Sequence, residues 1–224
     1  MSQVLHYTTL GVLSLLPVAN PLTSMSLLLS LGHGLSAAER NRQVFKSATY
    51  VGVILLVCFY GGSLIMSTFG ISLPGLRLAG GLIVCYIGFT MLFPSDQPSE
   101  EDAQHSMLSD EDKAKPHVRN IAFVPLALPG TAGPGAIALV ISMASSVNPA
   151  ERGSLALNIS VFATILIVSF VYWLVLRSSG VIMKALGESG LDAISRLVGF
   201  LLIGMGVQFG INGISEAVLS FQAG

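Results

Sequence analysis

Apolar residues run through this chain in six long stretches, separated by polar or glycine-rich breaks. They lie roughly at residues 6–31, 44–66, 73–93, 121–144, 155–176 and 194–219. Each holds about 20 residues or more, the length a helix needs to cross the hydrocarbon of a bilayer. The pattern predicts an all-α integral membrane protein with six transmembrane helices. The polar stretch at residues 94–120 is longer than the others and holds seven of the twelve acidic residues. It shows no apolar periodicity and predicts a flexible, acidic linker on the cytoplasmic side. It divides the chain into a first unit at residues 1–93 and a second at residues 121–224, with three spans each.

The first and fourth spans carry interruptions of their own. Residues 125–135 read PLALPGTAGPG, with three prolines, three glycines and no charge. Proline removes a backbone donor and clashes with the preceding turn. A helix cannot run through such a stretch unbroken, and lipid cannot satisfy the backbone groups that the break frees. Residues 17–23 read PVANPLT, and here Pro17, Ala19, Pro21 and Thr23 match Pro125, Ala127, Pro129 and Thr131 at one offset. Two further matches follow in the same order. Ala38-Glu39-Arg40 recurs as Ala150-Glu151-Arg152, and Arg77-Leu78 with Gly80 and Leu82 recurs as Arg196-Leu197 with Gly199 and Leu201. Three spans is an odd number, so a repeated unit enters the membrane from the opposite side. The expectation is two inverted three-helix repeats about an axis in the membrane plane, with helices 1 and 4 broken near the midplane.

Composition agrees with a membrane protein. The chain of 224 residues is 52% hydrophobic and 10% charged, with a mean hydropathy of +0.75. A soluble domain has about 25% charged residues. Lys and Arg set the orientation. Loops after the first, third and fifth spans hold Arg40, Arg42, Lys46, Lys113, Lys115, Arg119, Arg177 and Lys184, against Arg152 on the other side. The first set is therefore expected in the cytoplasm and both termini in the periplasm. Tyr172 and Trp173, just before Arg177, fit an aromatic belt at the inner surface. No Lys or Arg precedes Arg40, so the positive start of a secretory signal is missing and the first run is expected to remain as a span.

The candidate chemistry centres on the two breaks. Freed N–H groups and half-helix N-termini suit an anionic group of a solute, and freed carbonyls suit its donors or a cation. Asn20, Thr23, Ser24 and Thr131 could add hydrogen bonds. With Pro21, Pro129, Gly130 and Gly133, which shape the breaks, they form the expected substrate-binding set. Arg77 and Arg196 each lie just inside the third span of a unit. They are candidates for gating or for binding a carboxylate through the guanidinium fork. A membrane-surface anchor, or a cap on free carbonyls, is the plainer role for either. Asp192 is a local partner for Arg196 at one helical turn. No Asp or Glu lies in the central part of any span, which disfavours a strongly cationic cargo; Glu216 falls near the end of the sixth. Cys58 and Cys85 are expected as buried thiols. No metal-ligand spacing, nucleotide-binding loop, Ser/His/Asp set or basic nucleic-acid patch occurs, so no cofactor and no enzymatic activity is expected. The Gly206–Gly210 pair suits close packing within one chain, and leaves a homo-oligomer open.

The longest motifs resemble the MarC family of bacterial inner-membrane proteins. They are LLPVANPLT (15–23), SAAERNRQ (36–43), FGISLPGLRLAGGLIV (69–84), IAFVPLALPGTAGPG (121–135), AISRLVGFLL (193–202) and MGVQF (205–209). The resemblance implies six spans in the inner membrane and kinship with transporters of small neutral amino acids such as glycine, alanine and threonine. The family name refers to linkage with multiple antibiotic resistance, which does not establish drug transport. The resulting expectation is a secondary transporter, working as an exporter, for small neutral amino acids or similar metabolites by alternating access. Its partners are a small-molecule substrate and the lipid bilayer. A drug or toxic-compound efflux protein, or a non-transporting scaffold, is the alternative; 8% aromatic residues and one Trp speak against a large aromatic drug cavity.

Overall fold

The computed structural model describes residues 2–32, 35–94, 120–128, 131–147 and 153–222. Among them it is entirely helical. In chain order come α1 (Ser2–Ala19), α2 (Pro21–Leu31), α3 (Ala37–Phe69), α4 (Leu73–Leu92), the short π-helical α5 (Ala122–Ala127), α6 (Pro134–Ser146), α7 (Leu155–Arg177) and α8 (Ser179–Gln222). Local signals set the ends. Ser36 and Glu39 form a reciprocal cap at the start of α3, and Gly70 closes it at φ 66°, where a side chain would be strained. Ser72 and Ser154 cap α4 and α7.

Five apolar helical runs are long enough to cross a membrane: Gln3–Leu31, Ala37–Phe69, Leu73–Leu92, Leu155–Arg177 and Ser189–Gln222. Their outward side chains are apolar and exposed, Leu64, Leu82, Leu166 and Phe200 among them, as suits contact with lipid. The fourth predicted span differs. Its helical parts are the short α5, itself interrupted by extended backbone at Val124, and the 13 residues of α6. Thirteen residues rise only about 20 Å, short of the roughly 30 Å of hydrocarbon.

The first break is the single residue Asn20, in left-handed backbone at φ 33°, with 18 helical residues before it and 11 after. It falls inside the apolar run Gln3–Leu31. Asn20 touches Met91, one residue from the end of α4. The matched prolines do different things in the two units. Pro21 opens α2, whereas the later helix opens at Pro134, three residues after Thr131. Pro129 and Gly130 lie outside the described residues, as do residues 95–119 of the expected linker and the Ala150-Glu151-Arg152 copy.

α4 and α8 pack backbone to backbone, running in opposite directions. A Cβ added at Gly206 would stand 2.6 Å from the Gly81 carbonyl oxygen, and one at Gly88 2.6 Å from that of Gly199. Only glycine permits this approach. The GxxxG pair thus packs within the chain, and Gly210 likewise lies against the site of Gly81.

Candidate functional site

Near the end of α5, where the Leu128 backbone is extended, the Leu126 carbonyl is met by side chains from other helices. Side chains supply the donors. Ser24 Oγ donates to the Leu126 oxygen at 3.0 Å and Tyr172 Oη donates to it at 2.9 Å. A carbonyl has two lone pairs, and both are used. Since Ser24 and Tyr172 have given their only protons, each accepts from a further hydroxyl: Thr131 Oγ1 at 2.8 Å from Ser24, and Ser47 Oγ at 2.7 Å from Tyr172. Two short hydroxyl chains therefore converge on one oxygen and tie α2, α3, α7 and the second break into a buried knot. Ser24, Ser47, Thr131 and Tyr172 are all buried.

Tyr172 is not part of an aromatic belt, contrary to expectation. Adjacent helical residues point about 100° apart. Tyr172 faces the knot, while Trp173 carries the Arg177 guanidinium 5.4 Å from its ring centre.

Asn20 is buried beside the knot. Its Nδ2 donates to Thr23 Oγ1 at 2.8 Å and lies 3.0 Å from Met91 Sδ. Its Oδ1 is enclosed without a hydrogen-bond partner among the described residues. Pro21 opens α2 and lacks the N–H that the Pro17 carbonyl would receive in a continuous helix. Gly133 is buried at the start of α6.

A cavity of about 590 Å³ lies along the bundle from this knot. Its walls come from α1 (Tyr7 to Leu15), the later part of α6, the first part of α7, and Arg77, Phe209 and Asn212. On α7, the cavity-lining Ile165 precedes Tyr172 by two turns, about 10 Å. Between the two levels sits an apolar layer that includes the fully buried Val51, Leu55 and Val168. None of the described residues expected to bind substrate at the breaks lines this cavity. Asn20 and Thr23 bond to each other, Ser24 bonds to Thr131, and Gly133 is buried.

Arg77 is the expected residue that does line it. Its Nε donates to Ser142 Oγ at 2.8 Å, a second nitrogen reaches Ser146 Oγ, and a third pairs with Glu216. The sequence reading gave Arg77 no partner. A signal existed: Ser142 and Ser146 are one turn apart, and Glu216 is the lone acid within its apolar stretch. Arg196 has the plainer role. Its Nε donates to Asp192 at 2.8 Å, and its guanidinium caps the Leu92 carbonyl at 3.1 Å. Arg77 and Arg196 lie toward opposite ends of α4.

The family model for MarC family integral membrane proteins matches residues 5–218. The chain belongs to the MarC family. Within it, the chain is 49% identical over 214 residues to the inner membrane protein MarC of Salmonella typhimurium, covering 95% of this chain and 96% of that one. It is 50% identical over 218 residues to the inner membrane protein MarC of Escherichia coli strain UTI89, with the same coverage. No solved structure matches the chain.

Proposed function

We propose that this MarC-family chain is an inner-membrane secondary transporter that exports small neutral amino acids or similar metabolites by alternating access. The observation that carries the reading is the stacking of three layers along one bundle: a polar-edged cavity, an apolar seal, and the hydroxyl knot at the two broken helices. A cavity closed off by an apolar seal at one end of the bundle is one half of a transport cycle. In the orientation given by the Lys and Arg asymmetry, the closed end faces the cytoplasm and the termini face the periplasm. The inner-membrane location follows the printed names of the relatives.

The interrupted spans belong to two inverted three-helix units, and the tight α4–α8 contact joins them. Thr131, Ser24 and Asn20 then serve as an inner gate. The knot parts when the units rock, and its hydroxyls and the half-helix N-termini turn to the solute. The cargo is small and of zero net charge, since the cavity wall is mainly apolar and, among the described residues, its one charged lining residue, Arg77, is already neutralised.

The test is uptake of labelled glycine, alanine and threonine into proteoliposomes holding the full chain. Saturable uptake of at least one, displaced by its unlabelled form, is the expected outcome. Uptake no greater than in protein-free liposomes for all three would overturn the reading.

A further inference from the structure

We infer that Arg77 and Glu216 form a clamp for a free α-amino acid at the cavity wall, with the solute's carboxylate on Arg77 and its ammonium on Glu216. The inference rests on the transporter reading and names the chemistry that its cavity selects.

Arg77 has little freedom to go elsewhere. Two of its nitrogens are engaged by Ser142 and Ser146, and Ser146 is itself fixed by donating to the Ser142 carbonyl at 2.7 Å. The third nitrogen meets Glu216 Oε1. Glu216 is held far less well. Its Oε2 is enclosed and has no hydrogen-bond partner among the described residues, although the side chain as a whole is 38% exposed. An enclosed, unpaired carboxylate oxygen is an acceptor awaiting a donor. Arg77 lines the cavity, as does Asn212 one turn before Glu216 on α8, so Glu216 stands directly behind the wall of a space that a solute can enter.

Charge decides what that solute is. The pair is neutral, and Arg77 is the one charged residue lining the cavity among the described residues. α6 contains no ionisable side chain, and the lining part of α7 contains none; Tyr7 is the ionisable lining residue of α1. A lone carboxylate or a lone amine would leave a net charge in a poorly solvated space, at high cost. A zwitterion inserted between the two partners keeps the sum at zero. It exchanges one ion pair for two and gives Glu216 Oε2 its missing donor. The guanidinium fork suits a carboxylate in geometry as well as in charge. Serine hydroxyls fix the arginine, and the carboxylate swings aside to admit the solute.

The experiment uses the full chain in proteoliposomes, with transport of labelled alanine as the readout. Unlabelled alanine, propionate and ethylamine are the competitors; the last two each carry one half of the zwitterion. In the unaltered protein, propionate and ethylamine should each compete at least about ten-fold less well than alanine. Glu216→Gln should weaken alanine about ten-fold and bring propionate close to alanine as a competitor. Circular dichroism and gel filtration check that the variant is folded. Equal competition by alanine and propionate in the unaltered protein would overturn the clamp, and that arm decides if the variant does not fold. A folded Glu216→Gln variant with unchanged alanine affinity and an unchanged propionate-to-alanine ratio would overturn it too. In those cases alanine is still carried, and the transporter reading stands. Absence of alanine transport in the unaltered protein overturns the clamp together with its cargo.

Discussion

Leu126 shows how one backbone oxygen can organise side chains from three helices. Its carbonyl lies near the end of α5 and accepts from both Ser24 and Tyr172. Tyr172→Phe keeps the ring and removes the hydroxyl. It leaves Ser47 without its acceptor and the Leu126 oxygen with Ser24 alone. The expected cost is about 1–2 kcal/mol, read as a lower Tm in detergent. Ser47→Ala should cost less, since Tyr172 still donates to Leu126. An unchanged Tm for Tyr172→Phe would mean that the knot contributes nothing to stability. Little of this was legible beforehand. Thr131 and Ser24 stood out by their place beside repeated prolines. Nothing near Ser47 or Tyr172 in the chain marks them as partners, because the contact joins residues 125 apart.

At the scale of elements, the α4–α8 contact is the sharpest test of packing. At Gly206 a Cβ would stand 2.6 Å from both Cys85 Sγ and the Gly81 oxygen, whereas at Gly204 it would meet nothing within 4 Å. Gly206→Ala should therefore force the helices apart and cost about 1–3 kcal/mol. Gly204→Ala should be neutral or stabilise by up to about 1 kcal/mol, because alanine favours the helix. Denaturation in detergent compares the two; equal effects would contradict the close approach. The glycine pattern was visible in the sequence, and its use for packing follows from the lack of a side chain. Which glycine faces which backbone was not visible, since register between distant helices depends on the whole interface.

For the whole molecule, the prediction concerns the gate. Ser24 and Thr131 bring their hydroxyls to 2.8 Å across the two breaks, close enough for cysteines there to be bridged with small adjustment. In a background with Cys58 and Cys85 replaced by alanine, Ser24→Cys with Thr131→Cys should oxidise readily. The bridge should abolish alanine transport, and reduction should restore it. A bridged protein that carries alanine at the unbridged rate would exclude the knot as a gate. The single variants should transport in both redox conditions, which separates the bridge from loss of the hydroxyls.

The sequence alone determined the apolar helices, their approximate ends and the two interruptions. These follow from local physics: the length needed to cross a bilayer, the donor missing from proline, and capping by Ser36, Ser72 and Ser154. It also marked Arg77 as unusual, because a guanidinium inside an apolar run needs a partner. Tertiary structure decided the rest. It put Asn20 against Met91 near the end of α4, and it brought Ser24 and Thr131 into hydrogen-bond contact. It separated Arg77 from Arg196 in role, giving one a cavity wall with Ser142, Ser146 and Glu216, and the other a capped helix end. The repeat made them look alike, because matching sequence specifies a similar local backbone. What a side chain meets depends on which distant helix packs against it, and Arg77 and Arg196 meet different residues.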